Sequence, residues 1–437
     1  MEVDLWLTKM GFKGDPFVIV DADKDPYLDN SLVQNTSLES ILNQFDTPTP
    51  YVIFGIRGSG KSAMRIFAEK ALKKYNKENP SKEILIIKYI DFNELLSEKK
   101  KPRKIPKKVR RFVFFSRIEY QGHENREITL DDHLDNILKL GIESFMEHID
   151  KKIKDAGKKH VKKHFKESSH LIEKILLLIS LYYAPNDRSK KLKKLKETMT
   201  LLKYKKSGKW FKKKQKKEIA EKIYLNIKGI PVSTEDALAT VQTTGVGLYD
   251  TVGVPQNTED RFSLFRYFME IIDRLELKGI YLLVDRVDEP TSIKGDSEGM
   301  RKLISPLLED QLLQVKNLGV LLFLPFELAD LRKKYRSDRV KTTCPLQWTN
   351  LKMKELIEKR MKACSSQNNS ISIHSMFSEK GEEKADIITN LTTPRNAFRF
   401  LSILIKEHCN TVKDAIEISS ETFNSAWREY QNEKEGY

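Results

Sequence analysis

Cysteine is scarce in this chain, and long apolar runs are missing. The 437 residues include three cysteines, Cys344, Cys364 and Cys409, which lie far apart and form no CxxC pair. This usage argues against a disulfide framework and against a thiolate zinc site. No uninterrupted apolar run approaches the roughly 20 residues needed to cross a bilayer. The N-terminus also lacks the basic-then-apolar order of a secretory signal, so we expect a cytoplasmic protein that does not engage a membrane.

Positive charge is unevenly distributed along the chain. The formal net charge is +16, and residues 151–228 alone hold 26 Lys and Arg against 7 Asp and Glu. The rest of the chain is therefore slightly acidic. Lys predominates over Arg in this segment, which favours nonspecific contact with a nucleic-acid backbone over the reading of base edges.

The basic segment contains one cluster in which aromatic residues stand beside lysines. Such side chains can stack on bases while the lysines contact phosphates. We predict that DNA or RNA binds this cluster, formed by Lys209, Trp210, Phe211, Lys212, Lys213, Lys214, Lys216 and Lys217. Two other interpretations remain open, a solvated charged helical arm and a docking surface for an acidic partner protein.

Short apolar strands alternate with helical patterns on both sides of the basic segment. Strands are predicted at 51–55, 84–90, 279–284, 318–324 and 342–348. Helices are predicted at 63–75, 261–275 and 300–313, and from 351 to the end. The alternation predicts an α/β fold with a doubly wound parallel sheet, in which ligands bind at the carboxyl ends of the strands.

The same patterns divide the chain into four segments. Residues 1–95 hold an approach segment and the first half of a nucleotide-binding core. Residues 96–228 form a mainly helical, Lys-rich insertion, with helical patches at 130–145 and 171–183. Residues 229–348 complete the core, and residues 349–437 form a C-terminal helical lid.

A glycine-rich stretch follows the first predicted strand. Its sequence, GIRGSGKS, matches the phosphate-binding pattern G-x-x-x-x-G-K-[ST], with a strand before it and an amphipathic helix after it. The glycines allow successive backbone N–H groups to point inward, and the helix N-terminus favours a bound anion. We expect Lys61 to reach the β- and γ-phosphates and Ser62 to bind Mg²⁺. The predicted nucleotide-binding residues of this stretch are Gly55, Arg57, Gly58, Ser59, Gly60, Lys61, Ser62 and Ala63.

Carboxylates follow the strand predicted at 279–284. Asp285 comes directly after the strand and is predicted to share the magnesium ion with Ser62. Hydrolysis also needs an acid that orients or deprotonates water, and Asp288 and Glu289 are both close in sequence. We favour Glu289 and keep Asp288 open.

The stretches FGIRGSGKSAMR and LLVDRVDE resemble the AAA+ and STAND group of ATPases, especially its origin-recognition-like and NACHT-like branches. The resemblance implies ATP and Mg²⁺ as cofactors, hydrolysis of ATP, and a homo-oligomer. Proteins of this architecture often act in bacterial antiviral defence or in replication-type loading. Arg286 stands directly after Asp285, where AAA+ enzymes usually have Glu, and the pair Asp288 and Glu289 follows shortly after, which is similar to the arrangement in NACHT proteins.

The resemblance continues more weakly towards the C-terminus. The stretch TTPRNAFRF is similar to the Pro-Arg helix of the family's lid, which implies that Arg395 contacts the γ-phosphate. An arginine that only caps or solvates a helix is the open alternative. The strand at 318–324 continues into Pro325 and Phe326, so no sensor-one residue is assigned. Arginine-finger candidates are Arg332, Arg336 and Arg339.

Two functions from different classes follow from these patterns. The first is an ATP-hydrolysing molecular switch or assembly ATPase that engages nucleic acid or a partner effector. The second is a nucleotide-binding scaffold, or a DNA-loading regulator of the replication or transposition type, with little turnover. A small-molecule kinase is disfavoured by the helical C-terminal pattern and the basic segment.

Overall fold

Five parallel strands form one sheet. The computed structural model describes residues 2–33, 45–96, 127–165, 169–183, 260–343, 346–366, 372–412 and 414–435. The strands are β1 Tyr51–Gly55, β2 Ile84–Tyr89, β3 Gly279–Val284, β4 Leu318–Pro325 and β5 Lys341–Thr343. Their order across the sheet is β2-β3-β4-β1-β5, and every neighbouring pair is parallel. The predicted α/β fold with a parallel sheet is confirmed.

The strand register brings the carboxyl ends of β1, β3 and β4 to one edge of the sheet. Gly55 of β1 lies opposite Pro325 of β4, and Tyr89 of β2 lies opposite Val284 of β3. The residues that follow these strands therefore emerge side by side.

Apolar residues on alternate positions of each strand fill two separate cores. Val52 and Phe54 belong to one core, whereas Tyr51 and Ile53 belong to the other. Both faces of the sheet are covered, which explains why the strands are apolar at nearly every position.

Helices surround the sheet and form the C-terminal part of the chain. They are Val3–Lys9, Lys61–Glu78, Asn93–Leu96, Leu130–Phe165, Ser169–Tyr182, Arg261–Arg274, Ser297–Ile304, Asp310–Leu313, Asn350–Cys364, Gly381–Thr389, Pro394–Thr411 and Ser420–Glu435. Short 3₁₀ helices occur at Asp29–Ser31, Ser305–Leu308, Phe326–Lys334 and Ile373–Met376. Within the described residues, no helix combines the length and the apolar character that a bilayer span requires.

Two predicted elements differ from the structure. The helix expected at 300–313 is broken into three short pieces, since Pro306 enters a 3₁₀ turn and cannot continue an α-helical hydrogen-bond ladder. The strand expected at 342–348 covers only Lys341–Thr343. Further along, the Leu346 N–H donates to the Phe54 carbonyl at 3.1 Å, so the chain stays beside β1.

Two helices of the predicted insertion form part of the core beside the sheet. Apolar residues of Leu130–Phe165 and Ser169–Tyr182 share one buried cluster with the strands. Gly141 allows close packing, because a Cβ there would lie 2.7 Å from the Phe268 ring. The cluster at 209–217 lies outside the described residues, and the boundaries 96 and 228 stay predictions.

A third core belongs to the C-terminal helices, which we define as residues 350–435. The N-terminal helix adds Trp6 and Leu7 to this core, and Phe12 and Phe17 join it from the turn that follows. We call residues 15–33 the N-terminal segment. It begins in contact with the C-terminal helices and precedes β1 in the chain.

Candidate functional site

A cavity opens at the carboxyl edge of the sheet, where the glycine-rich loop (residues 55–60) leaves β1. Its volume is about 350 Å³, within the range of about 300–1,000 Å³ usual for small-molecule sites. The predicted site residues that line it are Arg57, Gly58, Ser59, Gly60, Lys61, Ser62, Ala63, Asp285, Asp288, Glu289 and Arg395. Residues separated by more than 300 positions in the sequence thus meet in one cavity.

Lys61 is held inside the glycine-rich loop. Its Nζ donates to the carbonyl oxygens of Gly55 at 2.9 Å and Ile56 at 3.2 Å. Burial lowers the pKa of Lys61, the negative charges of Asp288 and Asp285 act in the opposite direction, and nearby Arg395 adds to the lowering. An ammonium group with only neutral acceptors is placed to bind an anion that enters the cavity.

The glycines of the loop are required by the backbone and by close neighbours. Gly58 and Gly60 have φ angles of 84° and 98°, which a side chain disfavours. A Cβ at Gly58 would lie 2.7 Å from the Arg395 Cβ, and one at Gly55 would lie 2.5 Å from the Ser59 Oγ. The Ser59 Oγ is buried without a hydrogen-bond partner. The loop is therefore tightly curled and leaves a buried polar atom unsatisfied.

The loop is contacted once by the C-terminal helices and once by Trp348, which lies just before them. The Arg395 N–H donates to the Gly58 carbonyl at 3.4 Å, at the start of the helix Pro394–Thr411. The Trp348 indole Nε1 donates to the Ser59 carbonyl at 2.8 Å. The Arg395 side chain itself is exposed and lines the cavity. Both contacts join the loop to residues that lie far along the chain.

Asp285 is paired with an arginine that the sequence patterns did not indicate. Asp285 is buried at the end of β3, and its Oδ2 accepts a hydrogen bond from the Arg65 Nε at 3.1 Å. Arg65, on the helix Lys61–Glu78, also binds Asp23 at 2.6 Å and lies 3.7 Å from Glu69. Partial burial opposes ionisation of Asp23, but hydrogen bonds and charges from Arg65 and Arg286 outweigh it and lower its pKa.

Asp288 and Glu289 differ in position. Asp288 is half-buried, and its charge is the strongest of those that raise the pKa of Lys61. Glu289 is exposed and lies 3.6 Å from Arg286. Partial burial is the main cause that raises the pKa of Glu289; Arg286 lowers it, and the negative charges of Asp288 and Asp285 raise it again, so that it lies above its usual value. Asp288 acts on Lys61 through its charge.

Other candidates from the sequence have partners within the chain. Arg332 lies over the Phe54 ring at 4.9 Å, Arg336 binds Asp338 at 3.0 Å, and Arg339 donates to Gln314. None of these three arginines lines the cavity in the described structure. After β4, Glu327 is an acidic side chain whose charge acts on Lys61.

The N-terminal segment forms one wall of the cavity. Its residues Ile19, Val20, Asp21, Ala22, Asp25, Leu28, Ser31, Leu32 and Val33 line the space together with Phe67, Leu356 and Phe398. Most of these residues are apolar, whereas the glycine-rich loop and the carboxylates bring polar groups to the same cavity. A ligand with an apolar ring and a charged tail suits such a division.

The oxygen ligands present fit a magnesium ion. Ser62 offers a hydroxyl and Asp285 a carboxylate, and Mg²⁺ commonly takes only one or two protein oxygens together with water and phosphates. Within the described residues no group of three or more His, Cys, Asp and Glu side chains forms a metal site. A group of three or more such side chains is typical of a zinc or calcium site. A magnesium site needs fewer protein ligands, and Ser62 and Asp285 would supply them.

Comparison of the chain with protein-family models, curated proteins and solved structures gives no match. The interpretation of the site therefore depends on its residues and geometry. Sequence patterns found the loop, Asp285 and the two carboxylates after it. They missed Arg65, Asp23 and Trp348, which carry no motif and reach the site through contacts across 42 to 289 positions.

Proposed function

We propose that this chain binds ATP with Mg²⁺ and hydrolyses it. The observation that carries the proposal is Lys61, which is held by loop carbonyls in the same cavity as the buried Asp285. The position of β4 between β1 and β3 supports an additional-strand P-loop ATPase, the class named for that strand. The helix after Thr393 supports a lid that supplies Arg395.

Each part of ATP has a chemically suitable surface in the cavity. The loop N–H groups, the helix N-terminus and Lys61 suit the phosphates. The apolar wall from the N-terminal segment suits the base. Magnesium held by Ser62 and Asp285 would neutralise charge that develops on the phosphates during transfer.

Proton transfer from water is assigned to a carboxylate after β3. Glu289 has the raised pKa that suits a general base, and the charge of Asp288 acts on Lys61. The preference for Glu289 remains a prediction. Hydrolysis resets a switch in this proposal, and the basic segment at 151–228 supplies the contact with nucleic acid or an acidic partner.

Part of the basic segment is neutralised within the chain. Lys151 and Lys152 lie 3.5 and 2.6 Å from Glu83, and Lys154 lies 3.3 Å from Asp150. The proposed contact therefore depends more on the later cluster at 209–217. A nucleotide-binding scaffold with little turnover is the second candidate, favoured by the salt bridge between Arg65 and the expected metal ligand Asp285.

Isothermal titration with Mg²⁺ and a non-hydrolysable ATP analogue tests the proposal. Lys61→Ala should weaken binding by about 100-fold, since charge-assisted hydrogen bonds to phosphate contribute about 1.5–3 kcal/mol. Lys70→Ala is the matched control, because Lys70 lies on the same helix but pairs with Asp29 at the surface. Absence of binding heat for the wild-type protein would contradict the proposal. Phosphate release then separates an ATPase from a scaffold.

A further inference from the structure

Arg65 joins two carboxylates that are far apart in the sequence. Its side chain is 1% exposed. The Nη2 donates to both carboxylate oxygens of Asp23, at 2.6 and 2.8 Å, and the Nε donates to Asp285 at 3.1 Å. Because a guanidinium is a rigid planar fork, a shift of one carboxylate changes the hydrogen bonds available to the other.

Arg360 holds the same stretch of chain from the opposite side. It is also buried, pairs with Asp25, and donates to the carbonyls of Pro16 and Ile19. It belongs to the helix Asn350–Cys364 of the C-terminal helices. Its guanidinium lies 4.5 Å from the centre of the Phe398 ring.

Residues 21–25, which we call the strap, are thus attached at two points. Asp23 attaches the strap to the helix after the glycine-rich loop and, through Arg286, to the end of β3. Asp25 attaches it to the C-terminal helices. Asp21, Ala22 and Asp25 of the strap line the cavity. A ligand in the cavity therefore lies beside the stretch that carries both attachments.

Resting on the proposed function, we infer that Arg65 is a positioning residue that couples the Asp285 carboxylate to the C-terminal helices through the strap. A dication at Asp285 repels a guanidinium that shares the same carboxylate. Arg65 cannot move into water without loss of its partners, so it shifts towards Asp23 and Glu69. The strap moves with Asp23, and Asp25 carries the movement to Arg360.

Three variants separate this coupling from a general structural role. Asp23→Asn keeps the shape of the side chain but removes the charge that holds Arg65 to the strap. Arg65→Lys keeps one charge but cannot bridge Asp23 and Asp285 together. Asp29→Asn is the matched control, since Asp29 joins the same N-terminal segment to the same helix through Lys70 and does not touch Arg65.

Hydrogen–deuterium exchange measures both ends of the coupling in the full chain. Peptides that cover 55–67 report nucleotide binding, and peptides that cover 15–33 and 350–364 report the strap and the C-terminal helices. In the wild-type protein and in Asp29→Asn, Mg²⁺ with a non-hydrolysable ATP analogue should change exchange in all three regions. The analogue with EDTA should protect the loop and, through direct contact with the cavity wall at Leu356, part of 350–364, without the additional change there that Mg²⁺ brings.

The variants of Asp23 and Arg65 should keep loop protection and lose the magnesium-dependent change at 350–364. An unchanged magnesium response in Asp23→Asn overturns the coupling. A wild-type response at 350–364 that is the same with and without Mg²⁺ also overturns it. Failure of the proposed function is distinguishable, because the wild-type loop peptides would then show no protection with any nucleotide.

Discussion

Gly58 is placed where any side chain meets both backbone strain and another residue. Its φ is 84°, and a Cβ there would lie 2.7 Å from the Arg395 Cβ and 3.1 Å from the Thr393 Oγ1. The first effect belongs to the loop alone. The second belongs to the contact between the loop and the C-terminal helices.

Gly58→Ala should therefore destabilise the protein and weaken nucleotide binding together. An alanine at positive φ costs roughly 1–2 kcal/mol, and the displaced Arg395 adds to the loss. Gly295→Ala is the control, because Gly295 has φ 79° with no heavy atom within 4 Å of an added Cβ. Thermal melting and titration with the ATP analogue measure the two effects. Gly58→Ala should lose both stability and nucleotide affinity, whereas Gly295→Ala should lose stability alone.

The two carboxylates after β3 can be separated by isosteric amides. If Glu289 is the base, Glu289→Gln should lower the rate of phosphate release by about 100-fold or more and preserve ATP binding. Asp288→Asn should then lower the rate of phosphate release less and weaken ATP binding, because the charge of Asp288 acts on Lys61 more strongly than that of any other carboxylate. Single-turnover phosphate release with parallel titration measures both. The reverse ranking would assign the proton transfer to Asp288.

At the scale of elements, the helix Leu130–Phe165 is joined to the sheet by a buried histidine. The His133 Nδ1 lies 2.9 Å from the Tyr89 Oη, and its Nε2 lies 2.8 Å from the Leu303 carbonyl. Tyr89 ends β2 beside β3, and the Asp285 N–H donates to the Tyr89 carbonyl at 3.4 Å. The predicted insertion thus contacts the same strand ends that carry the site.

Burial lowers the pKa of His133 to about 4, although the Leu303 carbonyl and Asp132 act in the opposite direction. Above pH 6.5 both the folded and the unfolded forms are neutral. Between pH 6.5 and 4 only the unfolded form gains the proton, so stability falls by about 3 kcal/mol across this window. Below pH 4 the contribution stays constant.

His133→Gln keeps a donor and an acceptor and cannot titrate. Its free energy of unfolding should be lower than that of the wild-type protein at pH 7.5, and should fall less between pH 6.5 and 4. Urea denaturation at several pH values measures both. Burial also lowers the pKa of His148 to about 4, so His148 causes a loss of stability at low pH that the wild-type protein and the variant share. Equal pH dependence in the two would show that His133 does not titrate as stated.

At the scale of the whole molecule, the excess of positive charge is confined to one segment of an otherwise slightly acidic chain. The lysines at 209–217 lie outside the described residues, so their contact with nucleic acid stays a prediction. The described lysines at 151–154 are partly paired with Glu83 and Asp150. The later cluster is therefore the better target for a test.

Binding of a DNA or RNA fragment should weaken steeply as salt rises, because each phosphate contact releases a counterion. Replacement of Lys212, Lys213, Lys214, Lys216 and Lys217 by Gln should reduce the slope of log K against log salt. Replacement of Lys151 and Lys152 should change the slope less, because only two lysines are removed and both already lie beside the Glu83 carboxylate. Fluorescence anisotropy with labelled fragments gives the slopes. Salt-independent binding, or none, would favour a solvated arm or a docking surface for an acidic protein.

The sequence by itself determined four of the five strands to within one residue, the glycine-rich loop and the acidic end of β3. These features depend on local patterns, since a buried parallel strand must be apolar on both faces and a loop with positive φ needs glycine. The predicted strand 279–284 agrees with β3 at both ends, and the strand 51–55 agrees with β1. Local patterns did not give every element correctly. Apolar spacing predicted one continuous helix at 300–313, but Pro306 interrupts it.

Only the tertiary structure decided what surrounds those features. Arg65 looks like an ordinary charged residue of an amphipathic helix, yet it is buried against Asp285, 220 positions away. Arg360 likewise meets Asp25 across 335 positions. Local periodicity carries no information on which distant carboxylate will satisfy a buried guanidinium, because that choice is made when the cores pack and water is excluded. The strap, and with it the coupling we propose, exists only after that packing.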